Sequence, residues 1–374
     1  MRRRLAIVAS IGAILWLLTL LVGTARALTA YLFAFDALAT LLVGALLQAM
    51  ISYLTNARWF ALVRRYCWMV VAGMWIVAPL VIALLIGVRD VYPWSRPGVH
   101  VNAWLQTPWF VLRTAVYLAT WIWLAERMTR HALRQDVADA DGMAREERIL
   151  RRFSAGGVVA VAVTLTFASF DWVMSRDIGW TSTIFGAYLF AGGYLAALAL
   201  LALLVCAAPP SSPVASLISD QQRAALATMI FMAAILWAYF GFAQLLVIWI
   251  GDLPRDARWY AARVQGGWAV VAAIVAVTQF VVPVAALLSR RIKRSRRGLA
   301  TIAAIVLAGH IADAFWTVVP SLPGSGGGDL WRGAIALVAV GAVAMLAIAA
   351  RAARFDAIPF GDPDLDAAVA YRRR

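Results

Sequence analysis

Residues 29–53 read TAYLFAFDALATLLVGALLQAMISY, 25 positions with a single charged side chain, Asp36. An α-helix rises about 1.5 Å per residue, so a run of this length covers the roughly 30 Å hydrocarbon core of a bilayer. It has no polar face for water to solvate, and a bilayer solvates it along its whole length. Runs of the same kind recur on both sides of it. They cover 5–23, 67–88, 107–126, 154–174, 182–207, 224–250, 265–289, 299–319 and 332–351. The pattern predicts an all-α polytopic membrane protein of about ten transmembrane helices. Residues 1–351 form a single transmembrane domain in this reading, and 352–374 form a cytoplasmic tail.

Composition agrees. The chain is 63% hydrophobic and 14% charged, against about 25% charged in a soluble domain, and its mean hydropathy is +0.80. A net charge of +15 would suggest nucleic acid for a soluble protein, but here the basic residues sit between apolar runs and read as topology signals. Alternating the ten spans from a cytoplasmic start tests this. Of the 34 lysines and arginines, eight fall outside: Arg26, Arg89, Arg96, Arg176, Arg255, Arg258, Arg263 and Arg332. Arg113 lies within a span, and the remaining 25 fall inside. That bias places both termini in the cytoplasm. The opening Met1-Arg2-Arg3-Arg4 and the apolar run after it read as a retained first helix, not a cleaved leader. Trp94, Trp104, Trp109, Trp180, Trp249, Trp259 and Trp331 recur near the outer ends as an interfacial belt. The segment 128–152 reads as a short charged inner loop. The tail, with Pro359, Gly361 and Pro363, reads as extended over the cytoplasmic face.

Ionisable groups inside a membrane are costly and mark function or pairing. The candidates are Asp36, Arg113, Glu126, Asp171, His310 and Asp313. The topology puts all but Glu126 between the midplane and the outer surface. His310 and Asp313 are three residues apart and share a helix face. Such a pair could pass protons, or hydrogen-bond the oxygens of a quinone head group. The plainer alternative is a satisfied interhelical contact. Arg113 would lower its own cost by pairing with a carboxylate. Asp171 adjoins Trp172 near a helix end. Glu126 beside Arg127 reads as interfacial.

Absences narrow the chemistry. Cys67 and Cys206 lie in apolar runs and belong to no C-x-x-C pattern, which excludes a disulfide framework or a cysteine-bound cluster on this chain. The three histidines are His100, His131 and His310, and only His310 is within a span, one short of the pair that a membrane b-type haem uses. There is no phosphate-binding glycine loop and no H-E-x-x-H. A proton-coupled transporter and a purely structural anchor remain open alternatives, although no matched pair of Gly/Pro-broken spans marks two transporter halves.

The run Phe167-Ala168-Ser169-Phe170-Asp171-Trp172-Val173-Met174-Ser175, continuing through Trp180-Thr181-Ser182-Thr183-Ile184-Phe185-Gly186, is distinctive. It resembles the ActF-type subunits, also called quinone-binding subunit 2, of bacterial alternative complex III, a quinol:cytochrome c oxidoreductase. Their wider relatives are the NrfD/PsrC-type membrane subunits. Other stretches resemble that family in the same order: Tyr92-Pro93-Trp94, Trp237-Ala238-Tyr239-Phe240, Phe242-Ala243-Gln244, Trp259-Tyr260, His310 with Asp313, and Ile358-Pro359-Phe360-Gly361-Asp362-Pro363. One departure is the loop Ser175-Arg176-Asp177-Ile178-Gly179-Trp180, which lacks the family's proline and histidine. The resemblance implies two four-helix bundles plus a peripheral helix pair in the bacterial inner membrane. It implies that this chain supports quinol oxidation near the periplasmic side, the sister subunit being the stronger candidate for the working quinol site and scaffold, a proton route or a vestigial site being open to this one, with no bound cofactor of its own unless quinone. Haem c and iron–sulfur clusters would sit on partners: an NrfD-like sister subunit, an iron–sulfur/molybdopterin-like subunit and c-type cytochromes. His310, Asp313, Asp171, Asp36 and Arg113 are then the candidate quinone or proton-pathway residues.

Overall fold

A computed structural model describes residues 2–100, 102–209 and 211–371. Of the chain, 83% is helical, and no strand occurs among the described residues. The long helices are α1 (Arg2–Val22), α2 (Thr24–Leu54), α3 (Arg58–Ile86), α4 (Thr107–Gln135), α5 (Ala140–Trp172) and α6 (Phe185–Ala207). They continue as α7 (Asp220–Gly251), the short α8 (Pro254–Val264), α9 (Trp268–Leu287), α10 (Arg296–Val318) and α11 (Leu330–Ala352). Nine of these, all but α4 and α8, are long and apolar enough to cross a membrane. The chain is an all-α polytopic membrane protein. Helix α4 falls short only in hydropathy, because Arg113 and its tryptophans dilute it. It runs antiparallel to α5 along its length, tied by Arg113 to Asp171, by Trp121 to Thr164 and by His131 to Glu146. The tenth expected span is therefore a helix beside a spanning helix.

Helices α2–α5 pack as one four-helix bundle and α6, α7, α9 and α10 as a second. The first and last long helices, α1 and α11, pair with each other against α2. The bundles meet where α2 crosses α6. A Cβ on Gly44 would lie 2.5 Å from the Gly193 carbonyl oxygen, and one on Gly193 would lie 2.5 Å from that of Thr40. Small residues at such a crossing let two backbones touch, which is how helices associate where lipid removes the hydrophobic drive. Helix α2 is consequently the centre of the molecule, with 89% of its apolar window buried, against 22% for α1. Ile7, Ile11, Ile14, Leu18 and Leu21 of α1 stay exposed, as lipid-facing side chains do.

Two regions differ from the sequence reading. The charged segment expected as an inner loop is mostly helix, because α4 and α5 run past the apolar region and turn only near 136–139. The Asp139 carboxylate caps α5 by accepting from the Gly142 N–H at 2.9 Å, and Arg151 pairs with Glu147 one turn away at 2.8 Å. The tail is not simply extended. It carries a short helix, Leu365–Val369, and is strapped to the inner ends of both bundles. Arg64, almost wholly buried, pairs with Asp362 at 3.4 Å and Asp364 at 3.5 Å, and Gln222 donates to the Ala368 carbonyl at 3.0 Å. These tail contacts explain why Arg64 and its neighbour Arg65, itself paired with Asp136, are tolerated inside α3.

Candidate functional site

The expected polar residues of the outer half gather in two places. In the first bundle Asp171, fully buried near the end of α5, accepts four hydrogen bonds. Arg113 of α4 grips it with Nε at 2.8 Å and Nη2 at 2.9 Å. The Tyr117 hydroxyl donates at 2.8 Å and the Trp104 indole at 2.9 Å. The Arg113 guanidinium also lies over the Trp104 ring, 4.0 Å from its centre. This is a bidentate ion pair with its remaining lone pairs filled. The flanking residues of the same run lock the helix end: Trp172 donates to Thr114 at 3.1 Å, and Trp94 donates to Ser175 at 3.0 Å. The carboxylate that Arg113 needs is Asp171.

In the second bundle Asp313 of α10 is also buried but forms no ion pair among the described residues. Its partners are neutral donors, the Tyr188 hydroxyl of α6 and the Trp237 indole of α7, the latter at 3.1 Å. His310 shares the helix face of Asp313, as the spacing predicted, but does not bond to it. Its Nε2 donates instead to the Ala37 carbonyl of α2 at 3.0 Å, and its Nδ1 is buried without a partner. Asp36 is buried beside this carbonyl on α2, close enough for its charge to interact with that of Asp313, and its carboxylate has no hydrogen bond to another described residue. Thus His310, Asp313 and Asp36 converge, while Asp171 and Arg113 form a separate unit. Glu126 sits at the inner edge with Arg351 and Arg130.

Helix α9 adds a feature that the sequence reading missed. It opens into a π-helical turn at Val277–Val281, just before Pro283. Gln279 in that turn is wholly buried and neither end of its amide finds a partner. The turn presses on α10, where a Cβ on Gly309 would lie 2.5 Å from the Thr278 hydroxyl. Such turns recur at functional positions in helices.

Beside Asp313 lies a cleft of about 470 Å³ between α7, α8 and α9. Tyr188, Trp237, Phe242, Tyr260, Phe280 and Trp316 line it. Phe242, Leu245 and Phe280 at its rim are exposed, so the cleft opens toward lipid. Tyr188 and Trp237 therefore join the cleft to the buried carboxylate. Neither stood among the candidate site residues. A hydroxyl and an indole N–H inside apolar spans were the available signal, since both seek partners when buried. Above the cleft, Arg263 of α8 donates to the Thr317 carbonyl at 2.7 Å and to Asp177 at 3.3 Å. Burial lowers its pKa to about 10, with Asp177 opposing.

No protein-family model matches this chain, and no curated protein matches it.

Proposed function

We propose that the chain is a membrane subunit of a quinol-oxidising redox complex, binding a quinol in the cleft of the second bundle and taking a proton from it through Asp313. The observation that carries this reading is the join between cleft and carboxylate. An aromatic-lined space of about 470 Å³, open to lipid, ends on Tyr188 and Trp237, and both bond to a buried carboxylate that lacks a cation. A quinone is a membrane-soluble ring with two polar oxygens, which suits a mostly apolar pocket with a few convergent polar groups. Oxidation of a quinol to a quinone releases two protons and two electrons. Asp313 is placed to receive a proton by way of the Tyr188 hydroxyl, and the electrons leave to redox groups on partner subunits.

The resemblance of the run 167–186 to the ActF-type subunits extends this reading. It supplies the partners: an NrfD-like sister subunit, an iron–sulfur/molybdopterin-like subunit and c-type cytochromes carrying haem c. It also supplies the location, the bacterial inner membrane, with the cleft toward the periplasm. A proton-coupled transporter is less well supported. The irregular turns fall in α3, the second helix of one bundle, and α9, the third of the other. They are not the matched broken helices of a repeat.

Purification of the complex from native membranes in mild detergent tests the class. Haem absorbance is expected to migrate with this chain, and a colourless, solitary protein would sink the proposal. Oxidation of added quinol by the purified complex then tests the role, with Asp313→Asn as the variant that separates a working site from a structural anchor.

A further inference from the structure

At the outer end of the molecule, the loop 175–180 crosses between the two bundles. Two recesses of about 290 and 460 Å³ flank it and share Asp177, Ile178, Gly179, Trp180 and Arg255, so they form one trough. One wall is a stacked pair, Trp180 on Trp259, with ring centres 4.4 Å apart. Gly179, held at a φ of 97°, turns its carbonyl to the Arg255 guanidinium.

The trough has donors in excess. Arg176, Arg255 and Arg258 line it, and among the described residues none of the three forms an ion pair. Arg176 is nearly wholly buried. It bonds only to the Val318 carbonyl and the Thr29 hydroxyl, and its Nε–H has no acceptor. The Trp180 indole N–H is also buried without an acceptor. The one carboxylate in the trough, Asp177, is already engaged by Arg263 and by the Ser321 hydroxyl at 2.6 Å. Asp252 and Asp256, near Arg255 in sequence, line neither recess. Buried donors without acceptors are uncommon, and two of them beside unpaired guanidinium groups point to an anionic acceptor.

Position favours a protein over a lipid as its source. Arg176 is held between α2 and α10, and Pro93, in the connection between α3 and α4, faces α8 across the recess. The recess at Arg176 therefore opens at the middle of this face, and the second recess runs from it toward Trp104 and Phe167 at the rim. We infer that this trough binds a carboxylate presented by an acidic segment of a partner protein, with the tryptophan wall packing against that segment. The inference goes beyond the quinol reading and does not depend on it.

Binding of a hexaglutamate peptide to the full chain in nanodiscs of zwitterionic lipid tests it by calorimetry, with hexalysine and inorganic phosphate as comparison probes. Hexaglutamate is expected to bind, hexalysine not to bind, and affinity to fall as salt rises. The surface variant Arg255→Glu/Arg258→Glu is expected to weaken hexaglutamate at least tenfold, and Arg255→Gln/Arg258→Gln to fall between. Both substituted positions are exposed, so the fold is expected to persist, and circular dichroism checks this. Absence of hexaglutamate binding, or equal affinity in the charge-reversed variant, would overturn the inference. So would displacement of the peptide by soluble glycerophosphoglycerol at equal concentration, since the occupant would then be a lipid head group. Phosphate that competes at equal concentration would likewise overturn it, by showing a site for small anions.

Discussion

Asp171 and Asp313 are the same residue type, both buried, one in each bundle. Their surroundings are opposite. Asp171 is held by a guanidinium, a phenol and an indole, with its charge cancelled on the spot. Asp313 is held by neutral donors, a phenol and an indole, with no ion pair among the described residues, beside an aromatic cleft. A buried carboxylate with its own cation is closed to proton traffic, because protonating it would strand the cation. A buried carboxylate with neutral donors can take a proton without stranding anything. The second bundle therefore holds the responsive group, and the first holds the clamp.

The strongest way to break this comparison is Asp171→Leu. It leaves Arg113 as an uncompensated charge within the bundle, and such losses cost about 3–5 kcal/mol. We expect a large fall in the thermal midpoint in detergent and poor insertion. Arg113→Leu/Asp171→Leu, which removes both charges, is expected to recover much of that loss. If the double variant is no more stable than the single one, the ion pair is not what holds α4 against α5.

Asp313→Asn probes the other side. The carboxamide keeps the shape, but one of its ends presents N–H where the site needs an acceptor, so stability should fall by only about 1–2 kcal/mol. Quinol oxidation by the complex should fall about 100-fold or more, the scale of losing a positioned proton acceptor. Unchanged turnover would make Asp313 a packing residue like Asp171. Tyr188→Phe is expected to be milder. It removes the hydroxyl that joins cleft to carboxylate while Trp237 still holds Asp313, and a loss of roughly tenfold in turnover is expected from the weakened proton step. A matching rise in KM with kcat unchanged would instead place the hydroxyl in binding alone.

Much of the fold is legible in the sequence because lipid imposes length. A run such as 29–53 has few options other than to span. The charged stretch 128–152 is harder to read, because its i,i+4 pairs and its Asp139 cap signal a helix that hydropathy does not register. The site is only partly legible for a geometric reason. Depth along a span follows from counting residues, which is how the sequence leads to Asp36, Asp171, His310 and Asp313 as one set of candidates. Convergence depends on helix rotation, which counting does not supply. Tyr188 and Trp237 sit in apolar helices among many aromatic residues, and only the three-dimensional packing distinguishes them. The spacing of His310 and Asp313 correctly put them on one face, yet their partners lie on different helices.

His310 gives the smallest and sharpest test of the contrast. Its Nε2 bond to the Ala37 carbonyl fixes the tautomer, so Nδ1 carries a lone pair that no described residue fills. A satisfied packing histidine would use both nitrogens, whereas this one keeps a buried acceptor without a partner among the described residues. His310→Leu removes the Nε2 contacts with the Ala37 carbonyl and the Thr40 hydroxyl and one unfilled acceptor. These effects offset, so the stability change should stay within about 1 kcal/mol. If Asp313 passes its proton inward through this histidine, turnover should drop by a few-fold up to roughly tenfold, less than for Asp313→Asn, because His310 acts one step behind the accepting group. Equal turnover in His310→Leu and the wild type, with Asp313→Asn inactive, would end the proton's path at Asp313 or turn it toward Asp36. A drop as large as that of Asp313→Asn would move the first acceptor to the histidine and make the carboxylate its support.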